Sequence, residues 1–97
     1  MEEAKAKVKI RIPQVQRKIT NGQAIVDAVG GTVAESIDDV IAQFPELEKR
    51  FKNSEGKINK FLLIFLNDED VRYLEGDIRF KLKDGDVISL VPAMAGG

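Results

Sequence analysis

The sequence predicts a single α+β domain, a mixed sheet packed on one main helix with a short second helix after it. Three observations predict this. Residues 4–12 alternate strictly between apolar and charged, residues 32–44 carry a capped apolar stripe at helical spacing, and residues 61–66 are apolar without a break.

The first element is a strand. Ala4, Ala6, Val8, Ile10 and Ile12 fall on one face and Lys5, Lys7, Lys9 and Arg11 on the other, the pattern of a half-buried strand. Pro13 ends it. Asn21-Gly22 suits a tight turn with positive φ, leading into a second extended run around residues 24–29, which Gly30-Gly31 breaks. Thr32-Val33-Ala34-Glu35 then reads as a capping box, with Thr32 as N-cap and Glu35 at the third helical position. Behind it Val33, Ile37, Val40, Ile41 and Phe44 form one apolar stripe, the core face of the main helix. Pro45 ends that helix and can open a shorter one bearing Leu47 and Phe51. Residues 53–57 form a polar loop.

The second half of the chain reads as three strands. Residues 58–66 predict a strand apolar on both faces, expected centrally with cover on each side. Residues 67–70 turn the chain, 71–73 form a brief return strand, and Gly76-Asp77 breaks it again. Asp84-Gly85-Asp86 is a turn before the last strand, 87–91, in which Ile88 and Leu90 share one face and Val87, Ser89 and Val91 the other. The expected division is a folded domain over 1–91 and a flexible tail over 92–97.

Composition excludes several functions. Ninety-seven residues are enough for one domain without metal or disulfide staples. Fifteen Lys plus Arg against sixteen Asp plus Glu leave a net charge of −1, which argues against a nucleic-acid partner. The chain has no histidine and no cysteine, so it can build neither an imidazole base, a thiol nucleophile nor a His/Cys metal site. Asn67-Asp68-Glu69-Asp70 is the densest acidic cluster. A calcium loop starting at Asp68 would need Asp or Asn at position 72 and Gly at 73, where Arg72 and Tyr73 stand, so the segment reads as a solvated turn. No apolar h-region follows Met1 and no apolar run reaches membrane-spanning length, so the expectation is a cytoplasmic monomer without catalytic residues or metal.

The chain stops at Gly96-Gly97. An α-carboxylate, with a pKa of roughly 3.3–3.7, is ionised at neutral pH and a poor electrophile until another enzyme activates it. Glycine lets the backbone enter a narrow channel, having no Cβ to clash. The segment from Pro92 to Gly97, at about 3.3–3.6 Å per residue, reaches roughly 20 Å. Pro92 offers no N–H to a neighbouring strand and directs the residues after it outward.

Taken together, these features resemble the ubiquitin-like sulfur carriers. That group includes the molybdopterin synthase small subunit, the thiamine sulfur carrier and the carrier of O-phosphoserine-dependent cysteine synthesis. The resemblance spans the opening strand, the capped helix, Phe61 to Arg72, Asp84-Gly85-Asp86 and the tail Pro92-Ala93-Met94-Ala95-Gly96-Gly97. Asn67-Asp68-Glu69-Asp70-Val71-Arg72 and the Pro-Ala-x-Ala-Gly-Gly ending resemble the cysteine-pathway carrier most. Molybdopterin synthase small subunits more often carry two prolines before the tail and usually lack the longer loop after the helices.

The resemblance implies a ubiquitin-like β-grasp fold and a cycle of charging at the tail. The Gly97 carboxylate would be adenylated by an ATP-dependent, ubiquitin-activating-type sulfurtransferase and converted to a thiocarboxylate. Pro92, Ala93, Met94, Ala95 and Gly96 would thread into partner sites. The implied acceptors are a PLP-dependent cysteine synthase or the molybdopterin synthase large subunit, with a metalloprotease releasing the product amino acid. ATP and PLP belong to those partners, and this chain binds no cofactor of its own. The alternative is a protein modifier that forms isopeptide bonds through Gly97.

Strand parity also predicts a docking surface. Leu63, Phe65 and Val91 would form an outward apolar patch, with Lys9 and Arg11 as its basic margin; the opposite parity of the central strand is the alternative.

Overall fold

Residues 5–92 are described by a computed structural model. The alternation in the opening segment becomes β1 (Ala6–Arg11), with Ala6, Val8 and Ile10 buried and Lys7, Lys9 and Arg11 exposed. After Pro13 the chain makes one 3-10 turn, Gln14–Gln16, and then reverses at Asn21 and Gly22, both at positive φ (57° and 82°). The buried Thr20 hydroxyl donates to the Gln23 carbonyl oxygen at 2.8 Å and secures this loop. The return strand β2 (Ile25–Gly30) pairs antiparallel with β1, Lys9 standing opposite Asp27.

The Gly30-Gly31 pair ends β2 as expected, Gly30 being its last residue. A Cβ built there would sit 2.6 Å from the Ser36 amide nitrogen and 2.9 Å from the Glu35 carbonyl carbon. Glycine is therefore what lets helix α1 (Val33–Gln43) lie against the sheet. The Thr32 hydroxyl accepts from Glu35 N–H at 3.2 Å, as a capping box requires. The Glu35 carboxylate reaches one residue further back than the standard box, accepting from Gly31 N–H at 2.8 Å. Val33, Ile37, Val40 and Ile41 are buried beneath the helix, and Phe44 is half-buried at its end. Pro45 opens a 3-10 turn that continues into α2 (Glu48–Phe51), which buries Leu47 and Phe51.

The predicted strand over 58–66 is shorter than expected. Ile58 forms only an isolated bridge with Lys52. The Asn59 side-chain oxygen accepts from Phe61 N–H at 2.9 Å, and this Asx turn delays the strand. Strand β3 therefore spans Leu62–Leu66, with Leu62, Ile64 and Leu66 buried. Asn67 and Asp68 turn at positive φ into the two-residue β4 (Glu69–Asp70). The predicted return strand at 71–73 is instead a 3-10 turn, because Asp70 Oδ1 caps it by accepting from Arg72 N–H at 2.9 Å.

The last strand, β5 (Val87–Pro92), occupies the centre. The sheet order is β2-β1-β5-β3-β4, with β5 parallel to β1 and antiparallel to β3. The position expected for β3 thus belongs to β5, and β3 stands beside it. The turn before β5 extends its pairing: Gly85 N–H donates to the Lys7 carbonyl oxygen at 2.9 Å, and Lys7 N–H to Asp84 Oδ1 at 2.8 Å. Pro92, assigned to the tail by the sequence, is the final residue of β5 and stands opposite Leu62.

Asn67 joins this turn to β3. Its side-chain oxygen accepts from Val87 N–H at 2.9 Å, and its amide nitrogen donates to the buried Asp86 carboxylate at 3.0 Å. Lys83 N–H is the second donor to that carboxylate, at 2.8 Å. Asn67→Ala removes two of these bonds and leaves a buried carboxylate short of a partner. The expected cost is about 2 kcal/mol, read as a lower denaturant midpoint at unchanged slope.

Candidate functional site: the outer sheet face and the root of the tail

Helices α1 and α2 lie over one face of the sheet, and the parity of each strand decides what the other face carries. Ile88 and Leu90 of β5 are buried under the helices, so Val87, Ser89 and Val91 point away from them. Register then lines up Ile25, Arg11, Ser89, Phe65 and Asp70 in one row across all five strands. Beside it Leu63 stands opposite Val91. The residues expected to form the apolar patch, Leu63, Phe65 and Val91, therefore do meet on one face. Leu63 and Phe65 are half-buried, whereas Val91 is 42% and Phe61 50% exposed. No described segment covers β3 on this side, contrary to the cover expected from its apolar sequence.

The basic margin is divided. Lys9 is exposed and its ammonium lies 2.8 Å from Asp27, so part of its charge is answered within the sheet. A solvent-exposed pair of this kind contributes at most about 1 kcal/mol. Arg11 is exposed and, among the described residues, has no ion-pair partner. The far edge ends on Asp70, whose carboxylate accepts from the Arg72 guanidinium at 2.7 and 3.1 Å. That guanidinium, and after it the Arg72 backbone N–H, holds the Asp70 carboxyl below the usual carboxylate range. Arg72 also lies over the exposed Tyr73 ring, 5.9 Å from its centroid. The acidic cluster thus turns Asn67 toward Asp86 and Asp70 toward Arg72. Among the described residues no three carboxylates gather as a metal site would need, and no helix is long and apolar enough to cross a membrane.

Ala93, Met94, Ala95, Gly96 and Gly97 lie outside the described residues. Their point of departure is described. Pro92 is exposed at the end of β5, and beside it a groove of about 250 Å³ is lined by Gln16, Lys49, Arg50 and Phe61. Nothing in the sequence marks Gln16, Lys49 and Arg50 as neighbours of residue 92, since they come from the β1–β2 loop and from α2.

Comparison with known proteins places this geometry. The model of the ThiS family matches residues 10–97. Sulfur carrier protein CysO of Mycobacterium tuberculosis (strain ATCC 25618 / H37Rv) is 38% identical over 92 residues, 93% of this chain and 98% of that one. A chain in the crystal structure of the Amycolatopsis orientalis BexX/CysO complex superposes with a TM-score of 0.80 at 40% identity, covering 93% of this chain and 99% of its own. The solution structure of small archaeal modifier protein 1 from Methanosarcina acetivorans superposes with a TM-score of 0.82, covering 98% of this chain and 100% of its own. Its 22% identity shows likeness of fold alone. The five-stranded mixed sheet with two helices is the ubiquitin-like β-grasp of these structures.

Proposed function

The chain belongs to the ThiS family, and on that premise we propose that it is a sulfur carrier whose Gly97 carboxylate is charged as a thiocarboxylate for cysteine synthesis. The observation that carries the reading is the likeness to a sulfur carrier protein over nearly the full length of both chains. The chain acts as a co-substrate of enzymes rather than as a catalyst, and its residues have two tasks. The folded domain offers a recognisable surface, the outer sheet face. The tail from Ala93 to Gly97 presents a carboxylate with no Cβ beside it.

The chemistry follows from that carboxylate. One carboxylate oxygen attacks the α-phosphorus of ATP in the partner enzyme, and pyrophosphate leaves. The acyl carbon of Gly97, now bonded to AMP, is attacked by hydrosulfide, and AMP leaves with the bonding pair. The resulting thiocarboxylate is ionised at neutral pH and is the nucleophile in the acceptor reaction. In the cysteine route its sulfur would bond to the β-carbon of an amino-acid acceptor in a PLP-dependent enzyme, and hydrolysis by a metalloprotease would free the amino acid and return the Gly97 carboxylate. ATP places the charging step in the cytoplasm.

Intact-mass spectrometry of the protein isolated from its own cells tests this. The expected species is heavier at its C-terminus by the exchange of one oxygen for sulfur, and a cysteinyl adduct marks the cysteine route. A free carboxylate alone, both in the cell and after incubation with ATP, sulfide and the organism's adenylating enzyme, overturns the proposal. High-molecular-weight conjugates that vanish when Gly96 and Gly97 are deleted would point to protein modification instead.

A further inference from the structure

A partner that draws in the tail must close around its root, and the root is built from residues that the rest of the domain leaves unengaged. Pro92 forms one wall of the groove of about 250 Å³, with Phe61 at its side and Lys49 and Arg50 along its rim. Lys49 and Arg50 are exposed, and among the described residues neither has an ion-pair partner. Among the described residues no carboxylate lines the groove. Gln16 is half-buried in the same wall, and its side-chain oxygen is shielded from solvent without a hydrogen-bond donor among the described residues. Val15, next to it on the same 3-10 turn, is 75% exposed.

Resting on the sulfur-carrier reading, we propose that Gln16, Lys49, Arg50 and Phe61 form a collar that docks the mouth of the partner's tail channel. What the collar fits is an acidic protein rim: a carboxylate between Lys49 and Arg50 and an apolar side chain against Phe61. Distance decides between this and the nucleotide. Five residues separate Pro92 from the Gly97 carboxylate, roughly 17 Å when extended, so a phosphate at the reacting end lies far from these cations. Register separates the collar from the basic margin on β1. Lys9 stands level with Val87, five residues back from Pro92, and is paired with Asp27; Arg11, unpaired among the described residues, stands level with Ser89, three residues back and outside the groove lining. The cations at the root are those of α2.

Lys49→Glu/Arg50→Glu tests the collar. KM for the variant as substrate of the organism's adenylating sulfurtransferase is expected to rise about tenfold at low ionic strength, with kcat unchanged. The rise should shrink as salt is added. The comparison variant Lys81→Glu/Lys83→Glu carries the same charge change before the turn at the opposite end of β5, and should keep the parent KM. Matching thermal melts establish that the exposed replacements leave the fold intact. An unchanged KM for the α2 variant, or an equal rise in the comparison variant, overturns the collar. A fall in KM also overturns it, because it would assign the cations to the chain's own tail carboxylate. These outcomes all require a charged parent protein, whereas failure of the parent to be charged counts against the sulfur-carrier reading itself.

Discussion

A variant with one alanine appended after Gly97 is expected to fold like the parent and to acquire no sulfur. One residue moves the terminal carboxylate by about 3.3–3.6 Å, as much as the whole separation of reacting atoms in a near-attack geometry. Misplacement by about 1 Å can cost roughly a hundredfold in rate, so a full residue should bring charging to background. On the threading proposed for the tail, the added Cβ would also crowd a path that glycine leaves clear. Incubation with ATP, sulfide and the adenylating enzyme, with intact-mass measurement afterwards, reads the result directly. An extended chain that stays uncleaved and still carries sulfur would show that Gly97 is not where the chemistry happens. Unfolding midpoints should be the same for parent and variant, which separates this loss from any effect on the domain.

Gly30→Val should have the largest effect on stability. The added Cβ alone would lie 2.6 Å from the Ser36 nitrogen and within 3.0 Å of its Cα. Those are main-chain atoms of the first turn of α1, which cannot rotate away as the end of a long side chain can. The turn is also held in place by the Thr32 cap and by the Glu35 bond to Gly31 N–H. Relief therefore requires the helix to lift from β2 and open the contact over Val26 and Ala28, both buried. The expected cost is about 3 kcal/mol, the upper end for forcing atoms into a packed interior, because the clash is with main chain. At roughly 4–8 °C per kcal/mol for a domain of this size, that lowers Tm by more than 10 °C. By contrast, Gly22→Ala meets open space and carries only the strain of its positive φ, about 1 kcal/mol. A Gly30→Val protein as stable as the parent would show that the helix does not pack as described.

The two glycines illustrate how far the sequence could be read. Asn21-Gly22 is local turn chemistry, and both residues do adopt positive φ. Gly30 looks the same on paper, yet its role depends on a helix whose approach no local pattern specifies. The docking residues divide similarly. Leu63, Phe65 and Val91 share a face because side chains alternate along any strand. Arg11 joins them through the β1–β5 pairing, and Lys9 is answered by Asp27 across β2, a partner that only the register reveals.

What the amino-acid sequence determined by itself was whatever has a short period or a short reach. It held the two-residue alternation of β1 and β5, the apolar stripe and Thr32 cap of α1, and the turns at 21–22 and 84–86. Tertiary structure decided what depends on distant segments meeting. It put β5 in the centre, left the apolar outer side of β3 open, turned 71–73 out of the sheet and gathered Gln16, Lys49, Arg50 and Phe61 around Pro92. The physical reason is that strand order and groove lining come from pairings between residues tens of positions apart. Each such pairing is selected by the burial of the whole core rather than by the residues that happen to be its neighbours.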